Sequence, residues 1–159
     1  MEKEILEYKQ EHFIYGDRQI HGTCGLAYYD NFDEWLELVL SIEADKLRNG
    51  VHTSTFFSKR IEDGKIVGCL KIHHSLTEKI RNGGHIAYGI RPSERRKGYG
   101  RQQLELALDY SRSIGMSKVI IACDKSNIAS AMTAKSCGGV LNNEFVEDGV
   151  EKQHYFIGL

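Results

Sequence analysis

At 159 residues, with 41% hydrophobic and 27% charged side chains, the chain has the size and composition of one globular domain, which we expect over residues 1–159. The formal net charge of −1 gives no overall positive field for nucleic acid, and no apolar run approaches the roughly 20 residues that span a bilayer, so neither partner is expected. A charged start without a signal-like apolar core, together with four cysteines without paired spacing, predicts a cytoplasmic location.

The first half of the chain predicts two helices followed by a hairpin. Residues 2–14 are predicted to form the first helix. Apolar residues at i, i+3, i+4, i+7 and i+8 predict the second, with Asn31 as its N-cap. Residues 53–60 and 66–74 are predicted strands, joined across the turn dipeptide Asp63-Gly64. The apolar positions of the second helix are Phe32, Trp35, Leu36, Val39 and Leu40.

The second half alternates strands with helices and closes on another hairpin. A strand over residues 85–91 precedes a helix that Gly115 ends. The continuous apolar run at 119–123 predicts a strand covered on both faces, and a short helix follows from Ile128. Residues 140–146 and 151–157 then pair across Asp148-Gly149. The predicted fold class is therefore mixed α/β, with a mostly antiparallel central sheet of about six strands and flanking helices.

The most informative segment is the glycine-bounded basic loop between the strand at 85–91 and the next helix, with the sequence GIRPSERRKGYG. Glycines let a backbone turn its N–H groups inward, and a helix N-terminus adds partial positive charge, so the segment predicts an anion cradle. Two common phosphate loops are excluded. The chain has no GxxxxGK[ST] motif, and Gln103 stands where a Rossmann loop has its third glycine.

The loop pattern Arg95-x-x-Gly98-x-Gly100 resembles the acetyl-CoA loop, R/Q-x-x-G-x-G/A, of the GCN5-related N-acetyltransferase (GNAT) family. The segment CDKSNIASA, which contains Asn127 and Ser130, resembles the family's following strand and helix, and both segments are similar to a bacterial subfamily of predicted acetyltransferases. The resemblance covers about residues 53–159. It implies a GNAT-like acyl-CoA N-acyltransferase fold and acetyl-CoA as cosubstrate. No spacing of metal ligands supports a metal site, so no metal is expected.

The resemblance also implies where the coenzyme binds. Backbone N–H groups of residues 96–101 would hold the pyrophosphate, and the Arg95 side chain would add a charge-assisted contact. The pantetheine arm would lie between two splayed strands, where it pairs with backbone groups near Tyr88 and Ile90. Asn127 and Ser130 would contact the arm from the next helix. The expected coenzyme-binding residues are Ile90, Arg95, Arg96, Lys97, Gly98, Tyr99, Gly100, Arg101, Asn127 and Ser130.

The implied reaction is direct transfer of acetyl from the thioester to a primary amine, which requires a base to remove an amine proton. The sequence departs from the family at two positions. Ala134 stands where many members carry a tyrosine acid, and Gly84 stands where some carry a glutamate. His85 is the first candidate base. The second and third candidates are His74 and Tyr88.

Several alternatives stay open at this point. The acceptor is expected to be a small or amino-acid-like amine, with a protein N-terminus or lysine as the other choice, and the chain is expected to be a monomer or homodimer. A sensor that binds acyl-CoA without turnover is the main rival function, and a fold-only likeness without CoA binding is the third. The loop could be a solvated turn, and Asn127 could simply cap its helix. Family members usually open with a strand, which residues 1–8 do not predict.

Overall fold

The computed structural model describes residues 1–45 and 50–159. Within that part of the chain there are four α-helices, six strands and short 3-10 turns, so the predicted mixed α/β class with six strands is confirmed. The helices are α1 (Glu2–Ile14), α2 (Phe32–Asp45), α3 (Tyr99–Ser113) and α4 (Ile128–Ser136). The strands are β1 (Thr53–Lys59), β2 (Ile66–His73), β3 (Ile86–Ile90), β4 (Lys118–Asp124), β5 (Val140–Glu147) and β6 (Val150–Gly158).

The six strands form two antiparallel halves of three strands each. The order is β1-β2-β3 in the first half and β4-β6-β5 in the second. An isolated bridge between Gly84 and Ile121 joins the halves, and the His85 N–H donates to the Ile120 carbonyl there at 2.8 Å. No further strand pairing connects β3 to β4 within the residues described. The central sheet is therefore held together at one place and splays beyond it.

The first half-sheet separates two hydrophobic cores, because side chains alternate across a strand. On β2, Leu70 and Ile72 belong to the core shared with α3, α4 and the second half-sheet. Cys69 belongs to the core on the other face, which α1 and α2 cover with Tyr8, Trp35 and other apolar side chains. Four of the five residues in the stripe predicted for α2 pack in this core: Phe32, Trp35, Leu36 and Val39. The fifth, Leu40, is 57% exposed, so the prediction was wrong for that residue.

Two details refine the predictions for strands and turns. On β4, Val119 and Ile121 are buried but Ile120 is only half-buried, so the strand has one covered face rather than two. A strand in an antiparallel half-sheet commonly leaves its second face partly solvated. Asp148 and Gly149 have φ values of 50° and 78°, the left-handed conformation that a two-residue hairpin turn requires. Residues 1–45 contain two helices and one 3-10 turn but no strand.

Candidate functional site

The loop that follows β3 presents a row of unpaired amides. Pro92–Glu94 forms a 3-10 turn, after which Arg96 and Gly98 adopt left-handed φ values of 62° and 86°. Alternation of right- and left-handed residues turns successive N–H groups toward one side, as in anion-binding nests. The first helical bond of α3 runs from Gln102 N to Gly98 O at 3.2 Å. Six consecutive N–H groups therefore donate to no other described residue: those of Arg96, Lys97, Gly98, Tyr99, Gly100 and Arg101.

A buried carboxylate fixes this loop to the β1–β2 hairpin. The Glu94 carboxylate accepts hydrogen bonds at 3.0 Å from Arg60, Lys65 and Lys97. Hydrogen bonds from Lys97 and Lys65 lower the pKa of Glu94 to about 2, so the group is ionised at neutral pH. The Lys97 side chain, predicted as a coenzyme contact, is thus engaged within the protein, while its backbone N–H stays free.

Helix α1 holds the beginning of the same loop from the other side. The Glu11 carboxylate accepts from Arg91 Nη1 at 2.8 Å and from the Ser93 backbone N–H at 3.0 Å. Burial opposes ionisation of Glu11, but the bonds from Ser93 and Arg91 outweigh it and lower the pKa of this carboxyl group. The loop is therefore anchored on both flanks before its free amides begin, which presets the backbone for a ligand.

The Arg95 side chain also bonds to other residues of the protein. Its Nη2 pairs with the Asp17 carboxylate, and its Nε donates to the Ile90 carbonyl at 3.2 Å. Asp17 in turn contacts His12 Nδ1 at 2.8 Å. Arg95 therefore ties the end of β3 to the segment after α1, and its predicted direct contact with phosphate stays a prediction.

The splay between β3 and β4 exposes backbone groups on β3. In the β2–β3 ladder, His73 N donates to His85 O and Arg91 N donates to Val67 O, both at 2.8 Å. Because bonded pairs alternate along an antiparallel ladder, the backbone groups of Tyr88 and Ile90 point away from β2 and toward the gap. The Ile90 carbonyl is occupied by Arg95, whereas the N–H groups of both residues are left for a ligand.

Tyr88 and helix α4 meet on one side of the gap. The Tyr88 hydroxyl lies 3.1 Å from Ser130 Oγ and 3.3 Å from the Ser130 carbonyl. Burial raises the pKa of Tyr88 to about 12, so the hydroxyl keeps its proton at neutral pH. Asn127 caps α4 by accepting from Ser130 N at 3.1 Å. The Asn127 amide nitrogen donates to no residue in the described ranges, so capping leaves that donor available.

His85 lies where the two half-sheets join. Its Nδ1 accepts from the Ile120 backbone N–H at 3.0 Å, which places the proton of the neutral ring on Nε2. Burial lowers the pKa of His85 to about 4, and Lys118 acts in the same direction. The lone pair that a base needs is therefore occupied by a backbone contact. This geometry favours a structural role for His85 over the predicted catalytic one.

The second predicted base lies in a different polar cluster. His74 Nε2 contacts Ser54 Oγ at 2.9 Å, and Ser54 Oγ contacts the Tyr110 hydroxyl at 3.0 Å. Burial lowers the pKa of His74, with His52 adding to the effect. Nothing in the described contacts brings His74 to the free edge of β3.

A cavity of about 330 Å³ lies against β2 and β3 on the face that α1 and α2 cover. Lys71, His73 and Ala87 line it from the strands, and His21 lines it from the loop after α1. Neither His21 nor His73 was among the site residues predicted from the sequence. Strand alternation puts Lys71 and His73 on one face, but only the observed pairing of Lys71 with Ala87 shows that β3 borders the same face.

Close backbone packing holds the loop containing His21 against the sheet. A Cβ at Gly89 would lie 2.9 Å from the His21 carbonyl oxygen, and one at Gly22 would lie 2.5 Å from the Cys69 carbonyl oxygen. His21 is exposed as a residue, yet partial burial of its ring lowers its pKa, against the opposing charge of Asp124. The loop therefore places an imidazole between the cavity and the end of β4.

The chain matches the family model described as the acetyltransferase (GNAT) family over residues 10–138. The chain belongs to the GNAT family. A search of curated proteins finds no match. The same fold occurs in a mutant of spermidine N-acetyltransferase SpeG from Vibrio cholerae, with a TM-score of 0.69 and 18% identity over 99% of this chain and 91% of that one.

Two further solved structures show the GNAT fold with ligands. Spermidine N-acetyltransferase from Vibrio cholerae, solved with CoA and spermine, has a TM-score of 0.65 and 20% identity over 82% of this chain and 76% of that one. The protein yncA of Salmonella typhimurium, solved with acetyl-CoA, has a TM-score of 0.64 and 17% identity over 97% of this chain and 86% of that one. At these identities the likeness establishes the fold, and the site of this GNAT protein has to be argued from its own residues.

Within residues 1–45 and 50–159, no three His, Cys, Asp or Glu side chains come together as a metal-binding group. No helix in those ranges is long and apolar enough to cross a membrane.

Proposed function

We propose that the protein is an acetyl-CoA-dependent N-acetyltransferase that moves the acetyl group directly to a primary amine of a small molecule. The observation that carries the proposal is the row of six unpaired N–H groups at residues 96–101, which lies next to the free edge of β3. Family membership supports the reaction type, and structures of the same fold that hold CoA or acetyl-CoA support the coenzyme. The SpeG neighbours, named for spermidine, support an amine as acceptor.

The free amides suit the coenzyme in two different ways. At residues 96–101 they converge at the N-terminus of α3, where a pyrophosphate would gain hydrogen bonds and the helix dipole. The Ile90 N–H and the Tyr88 carbonyl line the gap, where an extended arm with its own amides would pair with them as a strand does. Asn127 would contribute its amide nitrogen, and Ser130 lies beside Tyr88.

In the proposed reaction the amine nitrogen attacks the thioester carbonyl carbon, the C–N bond forms, the C–S bond breaks, and the electron pair leaves on sulfur. A lysine-like amine, with a pKa near 10.4, first loses a proton to a base or to water. The carbonyl oxygen gains negative charge, and the Tyr88 N–H is a donor already facing the gap. Because the thiol has a pKa near ~8.5, it departs readily as the thiolate.

The geometry suggests how protons are handled. Tyr88, predicted as a base candidate, has a pKa of about 12 and holds its proton, so it suits protonation of the leaving thiolate better than abstraction from the amine. Ala134 carries no hydroxyl, so the Tyr88 hydroxyl is the acid that we propose for the leaving thiolate. For the base, His21 is better placed than His85 or His74. Its lowered pKa leaves the ring neutral at neutral pH, and no described residue bonds to its nitrogens.

Glycine substitutions at the two ends of α3 test the coenzyme site. Gly98 and Gly115 have φ values of 86° and 82°, and at each an added Cβ would meet no atom within 4 Å. Gly98→Glu puts a carboxylate among the free amides, whereas Gly115→Glu adds the same residue at the opposite end with similar strain. We expect the first to lose at least tenfold in acetyl-CoA affinity by calorimetry and the second to retain it. Equal affinities in both variants would contradict the assigned site.

A sensor that binds acyl-CoA without turnover is the second candidate. The absence of a hydroxyl at Ala134 and the occupied lone pair of His85 favour it. Thiol release from acetyl-CoA with a broad panel of amines separates the two functions. Binding without release across the panel supports the sensor, and release with any amine supports the transferase. Failure of CoA to raise the melting temperature contradicts both.

We also propose the cytoplasm as the compartment, because the four cysteines, all unpaired, fit a reducing environment: Cys24, Cys69, Cys123 and Cys137. A monomer or homodimer remains our proposal for the assembly. Size-exclusion chromatography with light scattering tests it directly.

A further inference from the structure

The cavity beside β3 carries a positive charge that no ion pair among the described residues compensates. Lys71 lines it and forms no ion pair with any residue in the described ranges. His73 and His21 line it as well, and Lys71 helps to lower the pKa of both, so the three groups lie close together. An ammonium group in a cavity without a carboxylate partner is suited to binding an anion from solution.

The described cavity lining contains no aspartate or glutamate. The carboxylates near the cavity do not line it. Asp17 is paired with Arg95 and His12, and Asp124 lies at the end of β4 outside the lining. A polycationic acceptor would therefore meet Lys71 without a carboxylate to balance its charges, which disfavours it.

The cavity also lies where an acceptor would have to bind. It borders Ala87, which precedes Tyr88, whose N–H faces the gap assigned to the coenzyme arm. From Ile90 to Ala87 the strand covers about 10 Å at ~3.3 Å per residue, so the cavity lies further along β3 from the pyrophosphate loop. A volume of about 330 Å³ accommodates a small molecule and not a folded protein surface.

We propose that the acceptor is a small amine that also carries an anionic group, of the amino-acid type, and that this group binds Lys71 beside His21 and His73. The proposal rests on the proposed acetyltransferase function, because it takes the same cavity as the acceptor site. The anion pairs with Lys71 while the amine lies toward β3. His73, already bonded through Nδ1 to Thr53 Oγ1 at 2.7 Å, fixes one wall of the anion site.

Matched amine pairs test the proposal in a thiol-release assay at saturating acetyl-CoA. Lysine and cadaverine differ only by a carboxylate, as do phenylalanine and phenethylamine. Phosphoethanolamine and ethanolamine differ by a phosphate. Spermidine represents polycations. We expect the anionic member of a pair to have the higher kcat/KM, by roughly ten- to hundredfold as expected for one charge-assisted contact. A higher kcat/KM for the members without an anionic group or for spermidine overturns the proposal.

Substitution of Lys71 links the preference to this residue. Lys71→Met should remove the advantage of the anionic amines over their partners without an anionic group. Lys71→Arg should retain that advantage, and Lys71→Glu should favour amines without an anionic group. Lys79→Met is the control, because Lys79 is exposed and forms no ion pair with a described residue, and it should leave the preference unchanged. An equal loss for both members of every pair in Lys71→Met, with acetyl-CoA affinity intact, overturns the proposal but not the acetyltransferase function.

A binding measurement covers the case in which no amine in the panel is acetylated. Histidine ring signals of the acetyl-CoA-loaded protein are followed by NMR during titration with the same pairs. Anionic amines should shift the His73 signals more than their partners without an anionic group do, and Lys71→Met should abolish that difference. Equal His73 shifts from both members of a pair contradict the anion site. Failure of the wild-type protein to bind acetyl-CoA contradicts the proposed function instead.

Discussion

Protonation of the buried Glu94 carboxylate should account for a measurable part of the loss of folding stability at acid pH. The pKa of Glu94 falls from 4.5 to about 2, because Lys97, Lys65 and Arg60 surround its carboxylate. At 1.36 kcal/mol per pH unit the difference corresponds to about 3.4 kcal/mol. The three cationic side chains are 24–53% exposed, so solvent screening reduces the expected contribution to about 1–3 kcal/mol.

The sign follows from the lowered pKa. The charged form of Glu94 is favoured in the folded state, so its contribution is complete above pH 4.5 and is lost as the pH falls toward about 2. Glu94→Gln should therefore lower the melting temperature at pH 7 by about 2–12 °C, at roughly 2–4 °C per kcal/mol, and lower it less at pH 3. Wild-type and variant curves should converge on acidification.

Thermal unfolding followed by circular dichroism between pH 2.5 and 7 measures this effect. Glu78→Gln is the control, because Glu78 is 89% exposed and, among the described residues, pairs with Arg81 alone, three positions along the chain. That control should change the melting temperature by less than about 2 °C. A Glu94→Gln deficit that is equal at pH 3 and pH 7 would show that the loss is not electrostatic and would refute the reasoning.

Two further variants separate structural from functional roles. His85→Ala removes the acceptor of the half-buried Ile120 N–H and should cost about 0.5–1.5 kcal/mol in urea denaturation. The neutral limb of the pH–rate profile should stay unchanged, and its loss would restore His85 as the base. Since the pKa of His85 is lowered to about 4, wild-type stability from this group is full above pH 6.5 and declines as the pH falls toward 4, a dependence that the variant should lack. Asn127→Asp keeps the oxygen that caps α4 but removes the amide donor, so stability should hold while acetyl-CoA affinity falls several-fold by calorimetry; equal affinity would exclude that contact.

The elements that local sequence determines were predictable. The apolar spacing from Phe32 to Leu40 was enough to find α2, and the dipeptide Asp148-Gly149 located the last hairpin, because both signals act over a few residues. The loop around Gly98 was recognisable for the same reason: glycine permits the left-handed backbone that orients the amides. For β4 the local signal misled, since apolar composition does not reveal which face is covered.

The parts of the site that depend on distant contacts could not be read from the sequence. His85 accepts a hydrogen bond from Ile120, 35 residues away, and no local pattern indicates that its lone pair is occupied. The cavity around Lys71 forms only when β2, β3 and the loop after α1 come together, so it depends on strand register and on the close packing at Gly89. Ion pairs between residues far apart in sequence, such as that of Arg95 with Asp17, could also be identified only in the folded structure.

The single junction at Gly84 and Ile121 leaves an incomplete ladder inside the protein. A row of strand amides without a neighbouring strand is usually a hazard at the outer rim of a sheet, where it invites aggregation. Here the row lies between two halves of one molecule, so a whole foreign strand has little access to it. A slender chain with evenly spaced amides can complete the ladder by replacing water at these N–H groups. Because the N–H groups are already fixed in place, the protein loses little conformational entropy on binding.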